Sequence, residues 1–300
     1  MPTDATQCGV VAVIGVPNAG KSTLVNQFVG AKVTIVTHKV QTTRSRIRGI
    51  AIVGSAQVIY VDTPGIFAPR RRLERAMVDA AWSGAADADI VVLVVDARRG
   101  ANDEVVHIID GLNEKKRPAV LALNKIDTVK REILLSLAEQ LNGKGLFDEV
   151  FMVSALNGDG VDDLQAYLAA KMPSGPWLFP EDQLSDLPQR LLAAEVTREK
   201  AYLYLHQELP YSLAVDTEDW QDFKDGSVRI GQVVYVERES QKGIVLGKGG
   251  QTIKRIRSEA QQELAELLER PIHLFIHVKV RENWVNDPGR YREWGLRYDA

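Results

Sequence analysis

The feature that most constrains the fold of this 300-residue chain is a short stretch near its start, GVPNAGKS, from Gly15 to Ser22. It matches the pattern G-x-x-x-x-G-K-S/T, in which backbone N–H groups surround phosphate oxygens. Such a loop needs a buried strand before it and a helix after it, because the helix N-terminus also favours an anion. The flanking runs, GVVAVIG and KSTLVNQFVG, fit a strand and a helix. The stretch therefore predicts an α/β fold with a phosphate-binding loop.

Four later apolar runs predict the rest of a sheet within residues 1–172, which we assign to the first domain. The runs are QVIYVD, DIVVLVVD, PAVLALNK and EVFMVSA. Uninterrupted apolar runs of this length are typical of strands covered on both faces, as in parallel sheets. RIRGIAIV meets QVIYV across Gly54-Ser55, which predicts a hairpin. The expected fold is mostly parallel, with one antiparallel edge strand.

A proline-rich stretch, 173–186, predicts a linker, and a second domain follows over 187–300. Pro173, Gly175, Pro176 and Pro180 interrupt the pattern within eight residues. Beyond them the sequence indicates a helix, the strands SLAVDT and RIGQVVYVER, two helices and a last strand, IHLFIHVKV. The second domain is therefore expected to be α+β, in the order α-β-β-α-α-β.

Composition narrows the functional classes that this chain can belong to. Its formal net charge of −3 gives no whole-chain argument for nucleic-acid binding, so any such argument must be local. The single cysteine, Cys8, cannot form an internal disulfide, and the sequence has no His/Cys cluster with metal-site spacing. Because no run of about 18 uncharged apolar residues occurs, we expect a cytoplasmic protein without a membrane span.

The phosphate loop and the DTPG sequence beginning at Asp62 predict the phosphate and metal contacts. We expect Lys21 to reach the β- and γ-phosphates, and Ser22 and Asp62 to hold Mg²⁺, Asp62 directly or through water. The N–H of Gly65 is placed to sense the γ-phosphate. The full predicted set of phosphate-binding residues is Gly15, Asn18, Ala19, Gly20, Lys21, Ser22, Thr23 and Gly65.

The sequence NKID, from Asn124 to Asp127, selects the base. A carboxylate accepts two parallel hydrogen bonds from the N1–H and the exocyclic amine of guanine, whereas adenine has no such donor pair on that edge. Asp127 therefore favours GTP over ATP, Asn124 is expected to tie this loop to the phosphate loop, and the stem of Lys125 to lie along the base. Ser154-Ala155 is expected to give a backbone N–H to the guanine O6.

With these motifs in order, the first domain resembles the GTPases of the Era, Der and TrmE group. In QTTR, from Gln41 to Arg44, the resemblance implies that Thr43 closes on Mg²⁺ and the γ-phosphate, with Thr42 as the weaker candidate. Asn18 resembles the asparagine that helps to hold K⁺ in potassium-stimulated relatives. Ile66 stands where Ras-like enzymes carry the glutamine that orients water, so slow, Mg-dependent and K-stimulated hydrolysis is expected. The predicted switch residues are Thr42, Thr43, Asp62, Pro64 and Gly65.

A second glycine-rich loop, GKGG at Gly247 to Gly250, does not fit a second nucleotide site, because no Ser or Thr follows the lysine. It fits the G-x-x-G loop by which KH domains hold about four nucleotides of single-stranded RNA. The second domain contains 17 Lys and Arg against 19 Asp and Glu over 186–300, yet no acidic residue lies between Ser240 and Ser258. Predicted RNA contacts are Lys242, Gly247, Lys248, Gly249, Gly250, Lys254, Arg255 and Arg257.

Several of these features also fit purely structural roles. GKGG is compatible with a glycine turn joining two helices, and Ile244, Val245, Leu246 and Ile253 divide between core and groove. Arg44 is expected to be an exposed arginine in a salt bridge. The aromatic residues near the C-terminus are expected to pack on the sheet rather than to stack on bases; they are Trp284, Tyr291, Trp294 and Tyr298.

Taken over nearly the whole chain, the sequence resembles the Era family of bacterial ribosome-assembly GTPases, with a type II KH domain. ELPYS (208–212), GKGG and VKVRENW (278–284) carry this resemblance. It implies binding of the 3′ end of 16S rRNA, a part in 30S subunit maturation, peripheral association with the inner membrane, and a monomer. The alternatives are a P-loop ATPase or kinase, which Asp127 disfavours, and a non-catalytic RNA-binding module, which Ile66 leaves open.

Overall fold

The computed structural model describes residues 6–39, 42–206 and 209–300, which divide into two units. The first unit comprises the chain up to Thr34, Thr43–Asp186 and Tyr291–Ala300, and the second comprises Ile35–Thr42 and Leu187–Arg290. Gln41 of the QTTR sequence and Glu208 of ELPYS lie outside the described residues. The division after Asp186 coincides with the end of the predicted linker, while the other three divisions, after Thr34, Thr42 and Arg290, are not predicted from the sequence.

The first unit is built on a six-stranded sheet in the order β2-β3-β1-β4-β5-β6. Its strands are β1 (Gln7–Ile14), β2 (Ile47–Val53), β3 (Ala56–Asp62), β4 (Ile90–Asp96), β5 (Ala119–Asn124) and β6 (Phe147–Val153). Every pairing is parallel except that of β2 with β3, which places the antiparallel strand at the edge. The predicted fold class is therefore confirmed, including its antiparallel edge strand.

Helices cover this sheet because its strands are apolar on both faces. They are α1 (Lys21–Val29), α2 (Arg72–Asp87), α3 (Asp103–Glu114), α4 (Arg131–Asn142) and α5 (Val161–Ala170). In α3 the side chain of the N-cap residue Asn102 accepts a hydrogen bond from the Val105 N–H at 3.0 Å, which starts the helix. A single apolar core fills the layers, centred on β1, β4 and β5.

The topology brings the chemistry-bearing loops to one edge. In a parallel sheet, ligands bind at the carboxyl ends of the strands, at the point where the strand order reverses. Here that point is at β1, which has β3 on one side and β4 on the other. The phosphate loop follows β1, Asp62 ends β3, Asp96 ends β4, and Asn124 ends β5. One edge of the sheet therefore carries all the predicted nucleotide contacts.

The proline-rich linker is ordered along the sheet. The side-chain oxygen of Gln57 accepts hydrogen bonds from the N–H groups of Leu178 and Phe179 at 2.8 and 3.0 Å. The Ile50 N–H donates to the carbonyl of Leu184 at 2.9 Å, so this segment satisfies part of the free edge of β2.

The second unit is a three-stranded sheet, β7-β8-β9, covered on one face by helices. In chain order its elements are α6 (Gln189–Tyr204), β7 (Leu213–Asp222), β8 (Val228–Val236), α7 (Glu239–Leu246), α8 (Gln251–Leu267) and β9 (Ile272–Val280). A final helix, α9 (Pro288–Glu293), includes the last division, after Arg290. The α-β-β-α-α-β order and the pairings, antiparallel for β7-β8 and parallel for β8-β9, agree with the predicted α+β class. No helix in the described ranges is long and apolar enough to cross a membrane.

Candidate functional site

The phosphate loop is shaped by a glycine and by the guanine-side loop together. Gly20 has φ of 99°, and a Cβ there would lie 2.1 Å from the side-chain nitrogen of Asn124. Asn124 donates from that nitrogen to the Ala19 carbonyl at 2.8 Å. The predicted tie between the NKID loop and the phosphate loop is therefore present, and only glycine fits beneath it.

Lys21 is buried beneath this loop. Its ammonium donates to the carbonyls of Gly15 and Val16 at 3.2 and 3.0 Å. Burial lowers the pKa of Lys21 to about 8, with the carboxylate of Asp62 opposing that shift. A phosphate beside the ammonium would compensate for its lost hydration, so this lysine is suited to an anionic ligand.

Asp62 lies at the centre of a cluster of hydroxyl groups. Its Oδ2 accepts hydrogen bonds from Ser22, Thr34 and Thr43 at 2.7, 2.9 and 3.1 Å. The residue is fully buried, burial raises the pKa of its carboxyl group, and Oδ1 has no hydrogen-bond partner among the described residues.

This cluster fits Mg²⁺, which prefers hard oxygen ligands and uses few protein carboxylates. The unpaired Oδ1 of Asp62 and the hydroxyls of Ser22 and Thr43 provide such oxygens. No group of three His, Cys, Asp or Glu side chains suited to a metal exists within the described part of the chain. Ser22, Thr43 and Asp62 are therefore the residues that could hold Mg²⁺.

The two threonines of the QTTR sequence are placed differently. The hydroxyl of Thr43 lies 3.0 Å from that of Ser22, at the metal cluster. The hydroxyl of Thr42 instead bonds the Thr37 hydroxyl at 2.7 Å and the Lys39 carbonyl at 2.8 Å. Within the second unit, the Thr42 carbonyl accepts a hydrogen bond from Arg198 at 2.5 Å. The geometry favours Thr43 over Thr42 as the metal contact.

The base-side loop is held by its own polar contacts. Lys125 donates to the Asp96 carboxylate and to the Asn18 carbonyl, both at 2.6 Å, which fixes its stem between strand end and phosphate loop. Asp127 accepts a hydrogen bond from the hydroxyl of Ser154 at 2.6 Å. This orients the carboxylate proposed to accept from guanine.

The hydrogen bond expected from Ser154-Ala155 to the guanine O6 has competitors, because both backbone N–H groups already donate to acceptors within the protein. The Ala155 N–H donates to the side-chain oxygen of Asn124 at 2.9 Å, and the Ser154 N–H donates to the Asp159 carbonyl at 2.9 Å. Both donors are therefore already used within the protein. A bond from Ala155 to O6 would have to be shared with Asn124.

The remaining nucleotide-site residues surround these contacts. Asn18 has a left-handed backbone with φ of 62°, and Thr23 lies in the first turn of α1. Pro64 and Gly65 are buried at the end of β3, and a Cβ on Gly65 would lie 2.9 Å from the Pro17 nitrogen. The Ile66 side chain is 1% exposed in the core. Ile66 therefore cannot orient an attacking water, as its chemistry predicts.

The expected exposure of Arg44 is wrong. It is 4% exposed rather than exposed, and its guanidinium lies 5.8 Å from the centroid of the Trp294 ring. A guanidinium loses less hydration than an ammonium on burial and stacks on aromatic rings, which allows this position. Trp284 and Tyr291 are buried, as the packing interpretation predicts for the C-terminal aromatic residues.

The second glycine loop forms a tight turn between α7 and α8. Gly247, Gly249 and Gly250 all have positive φ, at 72°, 60° and 75°. A Cβ on Gly247 would lie 2.1 Å from the Thr252 hydroxyl, whereas Gly249 and Gly250 face open space. The exposed side of the loop is therefore bare backbone followed by a helix N-terminus, which suits a phosphate.

The basic side chains around this loop differ in their partners. Lys248 and Lys254 are exposed and have no recorded ion pair in the described chain, and the same holds for half-buried Arg257. Lys242 lies 3.7 Å from Glu239. The guanidinium of Arg255 lies 4.2 Å from the centroid of the Tyr204 ring and 3.2 Å from Glu259. Arg255 is thus engaged within the unit, and Lys248 and Lys254 are the freer cations.

Ile244, at 57% exposure, is an apolar side chain displayed beside the loop, while Val245 belongs to the core. The sequence pattern does not separate core from groove residues here, and the structure separates them for Ile244 and Val245.

Comparison with known proteins identifies the family. A family model described as 50S ribosome-binding GTPase matches residues 10–125, and a KH-domain model matches residues 208–285. GTPase Era of Rhizobium meliloti (strain 1021) is 60% identical over 293 residues, which cover 98% of this chain and 94% of that protein. The chain belongs to the Era family of GTPases.

Two further relatives support the same family. GTPase Era of Brucella melitensis biotype 1 is 59% identical over 298 residues, covering 99% of this chain and 96% of that protein. A crystal structure of Era in complex with MgGDPNP and nucleotides 1506–1542 of 16S ribosomal RNA superposes with a TM-score of 0.91. It is 36% identical and covers 97% of this chain and 99% of that one. This Era-family chain is a GTP hydrolase with a P-loop domain and a KH domain.

Sequence reasoning missed two residues of the Era-family site. Thr34, fully buried, donates to Asp62, and Asp96 holds Lys125 and Arg98. Asp96, like Asp62, is a carboxylate at the end of an apolar strand, so the sequence did contain a pattern that could have identified it. Thr34 lies in a loop without a recognisable pattern, so nothing in the sequence singled it out.

Proposed function

We propose that this GTPase is a nucleotide-dependent switch that holds the 3′ end of 16S rRNA and assists assembly and maturation of the 30S subunit. The observation that carries this proposal is the solved Era complex with MgGDPNP and nucleotides 1506–1542, which covers 97% of this chain. The two chemistries have separate places here: the Asp62 cluster for a metal-bound nucleotide, and the GKGG turn for single-stranded RNA.

In the nucleotide site, the protein's own groups would bind and orient GTP. Lys21 would exchange its carbonyl partners for the β- and γ-phosphates, and the loop N–H groups would surround the phosphate oxygens. Mg²⁺, when held by Ser22, Thr43 and Asp62, supplies charge neutralisation on those oxygens. Asp127 would accept the two guanine N–H groups, which gives selectivity against ATP.

Hydrolysis is proposed to be slow and stimulated by K⁺ at Asn18. Ile66 cannot position water, so hydrolysis should be slow. A monovalent cation held partly by the amide oxygen of Asn18 would offset transition-state charge where an arginine finger acts in other GTPases. GTPase rates of the wild type and of Asn18→Ala in KCl and in NaCl test this. We expect KCl stimulation only in the wild type; equal rates in all four assays would contradict the K⁺ site.

The proposed setting is the cytoplasm, with a monomer acting on the 30S subunit and peripheral contact with the inner membrane. Support for these statements is the family membership. A membrane-pelleting assay with the full chain, in GDP and in GTP analogue, tests the membrane part separately from RNA binding.

The central experiment is binding of an oligonucleotide from the 3′ end of 16S rRNA to the full chain with a non-hydrolysable GTP analogue. Lys248→Asp should abolish binding, because it places a carboxylate against the phosphates. Lys224→Asp is the matched control, since Lys224 is an exposed lysine outside the basic cluster. If both variants bind like the wild type, the GKGG turn only joins two helices and the RNA part of the proposal fails.

A further inference from the structure

The last ten residues form a built element of the first unit. Within Tyr291–Ala300, Tyr291 and Leu296 are buried, at 0% and 5% exposure. The rings of Tyr291 and Tyr298 meet edge to face with centroids 5.0 Å apart, and the Leu296 N–H donates to the Tyr291 carbonyl at 2.7 Å. We call this segment the C-terminal cap. These contacts pack the cap within the first unit.

The cap contacts the residue next to a metal-site threonine. The guanidinium of Arg44 lies over the ring of Trp294, 5.8 Å from its centroid. Arg44 follows Thr43 directly, so their Cα atoms are about 3.8 Å apart. Fixing the buried side chain of Arg44 therefore limits where the Thr43 hydroxyl can lie.

The cap also contacts the start of α2. The guanidinium of Arg72 lies 4.4 Å from the centroid of the Tyr298 ring and donates to the Tyr298 hydroxyl. Arg72 is the first residue of α2, which follows the DTPG segment, and the N–H of Ile66, directly after that segment, donates to the Gly15 carbonyl at 3.0 Å. Trp294 and Tyr298 of the cap thus contact two arginines, Arg44 next to the first predicted switch and Arg72 at the start of the helix that follows the second.

We propose that Trp294 and Tyr298 are positioning residues of the nucleotide site, acting through Arg44 and Arg72 to favour the arrangement that binds Mg²⁺ and the γ-phosphate. This rests on the proposed role of Thr43 as a metal contact. The γ-phosphate and its metal ion order switch segments, whereas GDP leaves them free. Removing the cap contacts should therefore weaken binding of GTP more than binding of GDP.

The test measures affinities of the full chain for fluorescent GDP and for a fluorescent non-hydrolysable GTP analogue across a Mg²⁺ titration. Trp294→Ala should weaken analogue binding about 3- to 10-fold and raise the Mg²⁺ concentration at half-saturation, with GDP affinity within about 2-fold of wild type. Trp294→Phe retains an aromatic face and should restore most of the analogue affinity. Tyr298→Leu should resemble Trp294→Ala, and Tyr298→Phe should be milder.

Two controls separate the possible failures. Arg297→Ala removes a surface pair with Asp79, 3.6 Å apart, without touching either switch arginine, and should bind like the wild type. Thr43→Ala reports on the metal site itself. If Thr43→Ala loses the preference for the analogue but Trp294→Ala and Tyr298→Leu keep it, the cap proposal is overturned. If Thr43→Ala also keeps it, the assignment of Thr43, and with it the proposed site, is at fault.

Discussion

At the scale of single residues, the ammonium of Lys21 is placed to couple nucleotide binding to proton uptake. Burial lowers its pKa to about 8, below the ordinary lysine value of 10.5. At pH values above about 8 much of the free protein therefore carries neutral Lys21. Bound phosphates favour the charged form and raise the pKa again. Nucleotide affinity should consequently fall as pH rises through about 8, and binding at pH 8.5 should be accompanied by net proton uptake.

Calorimetry with Mg-GTP analogue in buffers of different ionisation enthalpy measures this uptake. Lys21→Arg is the matched variant, because arginine keeps its charge at pH 8.5 and should bind without uptake at that group. The same uptake in both proteins would assign the proton to another residue.

The lowered pKa of Lys21 also makes the stability of the protein depend on pH. Between about pH 8 and 10.5 the unfolded chain binds more protons at Lys21, so the free energy of unfolding should rise with pH there.

Which residues the sequence could identify depends on whether their roles leave a local pattern. Asp62 and Asn124 end strands, and Lys21 and Ser22 begin the helix that follows β1. All four belong to short motifs, and the structure brings them to one sheet edge. Thr34 and the burial of Arg44 depend on long-range packing, and no motif encodes that. The hydrogen bond from the Ala155 N–H to Asn124 depends on three-dimensional geometry, which the spacing of residues in the sequence does not determine.

At the scale of elements, α8 carries two neighbouring cationic side chains, Lys254 and Arg255, whose contacts differ. Lys254 is exposed without a recorded partner in the described chain, whereas Arg255 lies against Tyr204 of α6 and Glu259. Lys254→Ala should weaken RNA binding and reduce the slope of log affinity against log salt by about 0.7, as for one lost phosphate contact on a single strand. Arg255→Ala should leave that slope unchanged.

Salt titrations of RNA binding by the two variants decide between these roles, with thermal unfolding as a second readout. Equal losses of slope would show that Arg255 leaves Tyr204 to contact RNA. A loss for Arg255→Ala alone would reverse the assignment.

Most of the strands and the order of elements in the second unit could be predicted from the sequence. The unit to which each segment of the chain belongs could not. Apolar runs and glycine or proline breaks indicate β1 to β9 and the α-β-β-α-α-β order. That Ile35–Thr42 groups with the second unit, where Glu199 accepts from the Val36 N–H at 2.8 Å, follows only from tertiary contacts. The same is true of Tyr291–Ala300 in the first unit.

At the scale of the whole molecule, a switch requires that GTP and RNA favour the same state of the protein. Linkage then makes the effect reciprocal: the factor by which the GTP analogue raises RNA affinity over GDP equals the factor by which RNA raises analogue affinity over GDP. We expect this factor to lie between about 5 and 150, the usual range of coupling free energies. It requires no assumption about how the two units are arranged.

Four equilibrium constants close the cycle: RNA affinity in GDP and in analogue, and the ratio of analogue to GDP affinity with and without RNA. Lys248→Asp should remove the effect of RNA on nucleotide affinity while leaving nucleotide binding without RNA unchanged, because the GKGG turn and the Asp62 cluster belong to different units. A factor of one in the wild type would mean that the two sites act independently, since ligands that do not distinguish the states of a protein cannot shift them. In that case hydrolysis of GTP could not release the RNA, whatever the affinity of either site alone.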